Sequence, residues 1–328
     1  MRSPKAYIDY YRKCKDGLIP IHKKEGIPML FLWIDCFWAF VKYGCTIRQY
    51  TKGAFYKLRF FERKRVVTFR HYVQVVKRMN DPRYICFLED KEKFNTCFSP
   101  YVKRKWTSSR ELDIERLTAF TESVQTGLII KPLAGMEGEG IVRVERSELS
   151  DPSKLAALLA KIKDSDSMIE EIVTQHERMR FNARSVNTIR VMSVMDKKTG
   201  EVDVFKAVLR AGVGDAVVDN YHQGGCVYEV DIATGRIKSL GISSSRKDIL
   251  FHPGTDICMP GYEIPNWQCV VDGCKDAHKL LPQCRYISWD VAITKNGIEL
   301  IEGNHNGDYD MIEFVGSTQY WPVLKKYL

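Results

Sequence analysis

Two acidic residues and an asparagine near the C-terminal end have spacings that could build a magnesium site. Asp290 lies on one strand-like run, residues 295–297 are typical of a hairpin turn, and Glu302 and Asn304 end a second run. In a three-residue hairpin with glycine in the left-handed position, Asp290 lies opposite Glu302, and Asn304 shares their face. Two carboxylates and an amide oxygen with no cation among them suit Mg²⁺ that also holds nucleotide phosphates. A two-residue turn would separate the acids, and an ordinary exposed hairpin is the alternative.

A glycine-rich segment follows an apolar run in the middle of the chain. The run ends in Lys131, and Gly135, Gly138 and Gly140 come before the next strand-like run. Glycines let main-chain N–H groups approach phosphate oxygens closely, and a lysine at the strand end adds a positive charge. The segment lacks the Gly-Lys-Ser/Thr ending of a P-loop and joins strand to strand. A glycine-rich hairpin with an incidental lysine is the alternative interpretation.

A third segment could bind a nucleoside. Glu170 and Glu171 end a short apolar run, a polar segment follows, and Arg190 lies on the next strand-like run. An extended main chain beside an apolar pocket can bind adenine through its N–H and C=O groups, and a nearby acid can bind ribose hydroxyls. Taken singly, paired acids and a strand arginine are also common on solvated sheet edges.

The order of these elements resembles the ATP-grasp superfamily, and several segments are similar to its sugar-transfer-associated family. The resemblance implies an α+β ATP-grasp fold, with two α+β subdomains clamping ATP and a helical, basic N-terminal region. We expect that basic region in residues 1–85, the nucleotide-binding subdomain in 86–185, and the C-terminal subdomain, with its metal and acylphosphate sites, in 186–328. The segments that carry the resemblance are 185–191, 217–225, 230–237, 252–255, 264–267 and 289–304.

The resemblance also implies a chemistry, in which a carboxylate attacks the γ-phosphate of ATP and a nucleophile attacks the resulting acylphosphate. Lys93 is an alternative to Lys91 as the lysine that opens the first helix of the nucleotide subdomain. Glu170 to Val173 are expected to form the adenine hinge, with Glu177 as a ribose ligand. The implied nucleotide-binding residues are Lys91, Lys131, Gly138, Gly140, Glu170, Glu171, Val173 and Glu177.

The metal and catalytic residues follow from the same resemblance. Mg²⁺ is expected on Asp290, Glu302 and Asn304, with Mn²⁺ as an alternative metal, and Asp308 and Asp310 are either a third acid or loop. Two arginines would stabilise charge on the transferring phosphoryl group and the acylphosphate. His222, in a loop similar to one in ribosomal-protein glutamate ligases, is either catalytic or structural. The implied catalytic residues are Arg190, Arg210 and Asn220.

Charge and hydropathy are unevenly distributed. Residues 1–110 hold 25 Lys+Arg against 9 Asp+Glu, whereas the remainder holds 25 against 32. The basic stretch 55–79 predicts a solvated helical face for most of its side chains, and contact with an anionic polysaccharide, a lipid-linked sugar phosphate or an anionic membrane is the functional alternative. No motif supports nucleic acid as a partner. The apolar run 29–41, interrupted by Asp35, is too short to span a membrane and predicts a buried helix or re-entrant segment.

Ten cysteines without a CxxC pair, and no signal-peptide pattern, predict reduced thiols and a cytoplasmic protein, with peripheral membrane attachment as a variant.

Two enzymatic functions remain open. One is an ATP-dependent ligase that joins a carboxylate on a small molecule or glycan to an amine, tailoring a surface-polysaccharide precursor. The other is a phosphotransferase on the same fold. A non-enzymatic alternative is a nucleotide-binding subunit of a glycan assembly complex.

Overall fold

The computed structural model describes residues 4–133, 140–163, 166–219, 221, 224–244, 248–307, 315–316 and 320–328. Contacts divide the chain into two compact units. The first unit comprises Met1–Met79 with Asp308–Leu328, and the second comprises Asn80–Gly307. The predicted subdomain boundaries stay predictions.

The first unit is helical in its described part. Its core contains Leu18, Leu32, Tyr50 and Phe55, all fully buried. A C-terminal helix, Trp321–Leu324, belongs to the same unit, and its first residue stacks on the His71 ring. The other helices are α1 (Pro4–Glu25), α2 (Met29–Trp38) with a π-helical turn at Ala39–Tyr43, α3 (Ile47–Thr51), α4 (Phe60–Arg63) and α5 (Phe69–Met79).

The apolar run 29–41 is only half buried, so the predicted buried helix is wrong, whereas the alternative of a re-entrant segment stays a prediction. Asp35 faces inward, where its carboxylate accepts hydrogen bonds from the Tyr50 hydroxyl (2.7 Å) and from Arg63 (2.6 and 2.8 Å). Large apolar side chains occupy the opposite, solvent-facing side of α2. The hydrogen bonds from Tyr50 and Arg63 offset the cost of burying the Asp35 carboxylate, and they hold α2 in this orientation. No described helix is both long and apolar enough to cross a bilayer.

The second unit contains two antiparallel sheets among its described residues, so the predicted α+β class is confirmed. The smaller sheet has the order β1-β4-β2-β3, with β1 (Trp106–Ser108), β2 (Leu128–Pro132), β3 (Val142–Val144) and β4 (Ser167–Glu171). The larger has the order β7-β6-β5-β8-β9, with β5 (Thr188–Met195), β6 (Val202–Ala211), β7 (Cys226–Val230), β8 (Tyr286–Thr294) and β9 (Gly297–Asn304). Helices α6 (Cys86–Glu89), α7 (Lys91–Cys97), α8 (Ile114–Ser123), α9 (Pro152–Lys163) and α10 (Trp267–Lys279) complete the unit.

The larger sheet is rigidly supported. Every residue of β5 is buried, and Trp289 of β8 meets the Phe98 ring edge-on at 5.1 Å between ring centroids. Helix α10 contributes Val270, Cys274 and other buried side chains to the same core. A sheet packed this densely can hold polar side chains in fixed geometry. Helix α9 begins at Pro152 and ends at Lys163, and Asp151 accepts a hydrogen bond from the N–H of Ser153.

Candidate active site

The β8–β9 hairpin brings the predicted metal ligands together. Asp290 pairs directly with Glu302, and Asn304 pairs with Ser288 on the same side of the register, so the predicted facing is confirmed. The predicted three-residue turn is wrong, because Thr294 pairs with Gly297 across a two-residue connection. A β-bulge at Ile301 adds one residue to β9 and thereby restores the pairing that the longer turn would have produced.

Cations surround Asp290, contrary to the expectation that none lies among the acids. Arg190 is its cross-strand partner and binds it bidentately, Nε to Oδ1 at 2.6 Å and Nη2 to Oδ2 at 2.7 Å. Arg210 Nη2 lies 2.9 Å from Oδ2. Burial alone would raise the pKa of Asp290, but the two guanidinium groups hold it well below its usual range. Asp290 is therefore ionised at neutral pH.

Glu302 differs from Asp290 in its environment. Its side chain is 52% exposed and lies 3.7 Å from Arg190 Nη2, and its Oε1 accepts from Asn304 Nδ2 at 3.3 Å. Loss of water among the surrounding protein atoms and the neighbouring Asp290 carboxylate together raise the pKa of Glu302. Two carboxyl groups this close are stabilised by a shared proton or by a cation between them.

These groups fit a divalent metal. The Asp290 carboxylate accepts two hydrogen bonds from Arg190, its Oδ2 lies 2.9 Å from Arg210 Nη2, and it also interacts with the Glu302 carboxyl group. Asp290, Glu302 and the Asn304 amide oxygen together offer an all-oxygen donor set of the kind Mg²⁺ prefers. No group of three or more His, Cys, Asp or Glu side chains is arranged for a metal within the described ranges. Asp308 and Asp310 lie outside them.

Asp219 is a site residue that the motif analysis did not single out. Its Oδ2 accepts from the Thr188 N–H (2.8 Å) and hydroxyl (2.6 Å), and its Oδ1 lies 3.3 Å from Arg210 Nη2. The Thr188 hydroxyl in turn accepts from Arg210 Nε at 3.0 Å. Arg210 is thus fixed between Asp219 and Asp290. The neighbouring residues Asn220 and His222 lie outside the described part of the chain.

Lys131 lies at the end of β2 beside a buried acid. Its Nζ lies 2.5 Å from Glu170 Oε2, and Glu170 Oε1 accepts from Arg104 Nη2 (2.7 Å) and Asn95 Nδ2 (3.1 Å). Burial would raise the pKa of Glu170, yet Arg104 and Lys131 hold it well below its usual range. The main chain of Glu170 pairs with both neighbouring strands, through Trp106 and Ile129. Glu170 therefore orients Lys131 and is held within the sheet, and its predicted place in the adenine hinge stays a prediction.

The remaining residues predicted to bind the nucleoside differ in which of their main-chain and carboxylate groups are already hydrogen-bonded. Glu171 uses its N–H on the Lys105 carbonyl (2.8 Å) and its carboxylate on the Gln125 N–H (2.7 Å). Among the residues that the structure describes, no hydrogen bond engages the main chain of Val173. Glu177 begins a 3₁₀ turn and is exposed. Val173 therefore offers main-chain groups for a base, and Glu177 offers a carboxylate for hydroxyls.

Lys91 and Lys93 are distinguished by their surroundings. Lys91 is half-buried, and its Nζ donates to the Leu133 carbonyl at 3.2 Å. Burial lowers its pKa, and the charges of Glu302, Lys131, Glu170 and Asp90 also act on it. The Lys93 side chain is 51% exposed and only 3.9 Å from Asp90. Of the two candidates, Lys91 is the one that is partly buried and bonded to the Leu133 carbonyl, whereas Lys93 is exposed.

The glycine loop is described only at its end. Gly140 has φ +73°, a conformation that favours glycine, and a Cβ there would come within 3.0 Å of Pro132 Cγ. Gly135 and Gly138 fall outside the described residues, so their predicted role stays a prediction.

Comparison with known proteins adds the family. Residues 70–327 match the family described as sugar-transfer-associated ATP-grasp, more than three quarters of the chain. The chain belongs to this ATP-grasp family. No curated protein matches it.

Solved structures similar to this ATP-grasp chain include the ligase PsnB in a complex with Mg and ADP, at 16% identity and a TM-score of 0.44 over 76% of this chain and 60% of that one. Others are biotin carboxylase from Campylobacter jejuni (13%, 0.43, 74% and 47%) and the D-alanine–D-alanine ligase from Coxiella burnetii (10%, 0.39, 73% and 52%). The chain spans less than two thirds of the length of each of these three proteins.

A buried ion network joins the two sheets of the ATP-grasp unit. Arg104 Nη1 lies 2.9 Å from Glu299 Oε1, while its Nη2 binds Glu170 on the smaller sheet. Glu299, on β9, also accepts from the N–H groups of Lys103 and Arg104. One guanidinium group thus connects the strand that orients Lys131 to the strand that carries Glu302. The sequence analysis missed Arg104, because its partners are remote in the chain and no local spacing marks it.

Proposed function

We propose that the protein is an ADP-forming ligase that activates a carboxylate with ATP and joins it to an amine. The observation that carries this proposal is the convergence of Arg190, Arg210, Asp290 and Glu302 in one site. Cations for the phosphates and paired acids for a metal are the parts that phosphoryl transfer to an oxygen nucleophile needs.

The proposed reaction has two steps. A carboxylate oxygen of the substrate bonds to the γ-phosphorus, the bond to the bridging oxygen breaks, and ADP leaves with that electron pair. The amine nitrogen then bonds to the acyl carbon, inorganic phosphate leaves, and the amine releases a proton. Arg190 and Arg210 hold the transferring phosphoryl group and the acylphosphate, while Lys131 and Lys91 hold the other phosphates.

Asp290, Glu302 and Asn304 would hold Mg²⁺, or Mn²⁺ in its place, together with nucleotide oxygens. When bound, the metal neutralises phosphate charge and aligns the γ-phosphate for attack. Val173 would bind adenine through its main chain, and Glu177 the ribose. Asn220 is proposed to contact the acylphosphate.

The substrate class rests on the family alone. Its association with sugar transfer supports a carboxylate or amine carried by a sugar, an amino acid or a surface-polysaccharide precursor, acted on in the cytoplasm. Phosphotransfer to a glycan or small-molecule acceptor is the alternative that the experiment must separate.

The reaction is tested by trapping its intermediate. The protein is incubated with Mg-ATP, hydroxylamine and a panel of uronic acids and amino acids, and the products are identified by mass spectrometry. The proposal predicts a hydroxamate with the true carboxylate, and an amide with ADP and phosphate when the amine is supplied. A phosphorylated acceptor formed without hydroxamate would contradict it and identify a phosphotransferase.

Lys91→Ala is expected to weaken ADP binding about tenfold or more, because the ammonium group is half-buried and a charged hydrogen bond to phosphate is worth about 1.5–3 kcal/mol. Lys131→Ala should act similarly. Lys93→Ala is the matched control, since it removes the same charge two residues away from an exposed position. Isothermal titration calorimetry measures all three affinities. Equal losses for Lys91→Ala and Lys93→Ala would show that Lys91 does not contact the phosphates.

A further inference from the structure

Helix α2 and its π-helical turn present large apolar side chains to solvent. Leu32, Cys36, Ala39 and Tyr43 lie on the inner side, three or four residues apart, together with Asp35. The outer side follows the same helical spacing. It consists of Leu30, Phe31, Ile34, Phe37, Trp38 and Val41, which are 45–72% exposed.

Three more aromatic residues extend this outer face. Phe40 is 53% exposed, and Phe60 and Phe61 on α4 are 55% and 60% exposed. Lys42, at the end of the π-helical turn, places its Nζ 4.4 Å from the Phe60 ring centroid, so α4 adjoins the end of the α2 face. We call these nine residues the apolar face. Exposed apolar clusters of this size mark binding surfaces in soluble domains.

Positive charge borders the apolar face. Lys64 Nζ lies 4.5 Å from the centroid of the same Phe60 ring. Arg70 donates to the carbonyls of Lys42 and Val41, at 3.1 and 2.8 Å, and so adds its charge at the C-terminal end of the helix. Residues 29–79 contain eleven Lys+Arg and two Asp+Glu. One of those two acids, Asp35, faces inward and is bound to Arg63.

We propose that this face lies in the interface of an anionic lipid bilayer, with its aromatic and aliphatic side chains among the acyl chains and its lysines at the headgroups. The ten-residue helix is too short to span a bilayer, and an amphipathic helix with aromatic residues and a basic border is the type that lies flat in the interface. The proposal is independent of the ligase chemistry.

Charge distinguishes this occupant from a second copy of the chain. A symmetric dimer through this face would bring Lys42, Lys64 and Arg70 of both copies together, and like charges across an interface disfavour association. An anionic headgroup layer instead supplies countercharge along the whole border. Arg63 takes no part, because its guanidinium is bound to Asp35 and only 14% of its side chain is exposed.

The test is co-sedimentation of the full chain with vesicles. Vesicles of mixed phosphatidylglycerol and phosphatidylcholine should bind the protein, vesicles of phosphatidylcholine alone should bind it weakly, and binding should fall steeply between about 0.1 M and about 1 M salt. The Ile34→Gln/Phe37→Gln variant should bind at least about tenfold more weakly. The Lys42→Gln/Lys64→Gln variant should lose about tenfold in the anionic vesicles and little in the neutral ones.

Matched controls separate the face from general surface effects. Phe251→Gln changes an apolar side chain that is 53% exposed in the second unit, and Lys197→Gln/Lys198→Gln removes two exposed charges there. Both should bind vesicles like the parent chain, and circular dichroism should show the same helix content in every variant. No binding to anionic vesicles, or equal losses in controls and test variants, would overturn the proposal. A lipid-free dimer that Ile34→Gln/Phe37→Gln converts to monomer would overturn it in favour of self-association.

Discussion

Glu302→Ala should lower turnover by about two to three orders of magnitude while leaving the fold intact. Asp290 keeps Arg190 and Arg210 as partners in the variant, so no buried charge is left unpaired. What is lost is the carboxylate that faces Asp290 across the hairpin and, with it, part of the proposed metal and phosphate clamp. Several kcal/mol of transition-state stabilisation correspond to a rate loss of this size.

Steady-state ADP release measures the turnover of the Glu302→Ala variant, and thermal unfolding measures whether its fold is intact. Glu263→Ala is the matched control, since Glu263 is an exposed acid in the same unit whose salt bridge to Arg236 is also exposed. It should change neither quantity. ADP release by Glu302→Ala at the parent rate would remove Glu302 from the site, and a large drop in melting temperature would mean that its role is structural.

Arg104→Met should destabilise the protein by about 3–5 kcal/mol, because it leaves the buried carboxylates of Glu170 and Glu299 without their shared counter-ion. Urea unfolding measures the loss. Arg110→Met is the matched control: the salt bridge of Arg110 to Asp166 is exposed on both sides, and its removal should cost less than about 1 kcal/mol.

A second variant distinguishes unpaired charge from lost packing. If uncompensated carboxylates cause the destabilisation, Arg104→Met combined with Glu170→Gln and Glu299→Gln should recover part of it, because the charges themselves are gone. Equal effects of Arg104→Met and Arg110→Met would show that the network contributes no more than a surface pair. The pKa of Glu170 is lowered in the folded chain, so the parent should lose this stabilisation as the pH falls below about 4.3, the unfolded value.

The hairpin shows how far local sequence reaches. Side-chain alternation, a short-range property, places Glu302 and Asn304 on one face, but the facing of Asp290 and Glu302 was predicted from a turn length that the structure does not have. The predicted turn was one residue too long. The acids still face each other because a bulge at Ile301 adds a residue to β9, and nothing in the local sequence indicates that bulge. Arg190 was predicted as a separate phosphate ligand, but its direct contact with Asp290 depends on β5 pairing with β8, which are far apart in the chain.

The ion network around Arg104 could not be predicted from local sequence either, because its partners are far apart in the chain. Arg104 and Glu299 are 195 residues apart, and nothing near either one marks the other. The apolar run around Asp35 illustrates a different limit. Helical spacing identifies two faces of α2, but it does not say which one is inside, and here a paired acid occupies the inner face while the larger apolar side chains point outward.

The contact between Lys131 and Glu170 has a consequence for the kinetics of ligand capture. A free lysine samples many rotamers, and ordering it on a phosphate removes up to about 2 kcal/mol of side-chain entropy. Lys131 is instead immobilised by a carboxylate that is itself locked to Arg104. That entropy is therefore lost during folding, and under the proposed function an arriving nucleotide would meet a lysine whose position is already set.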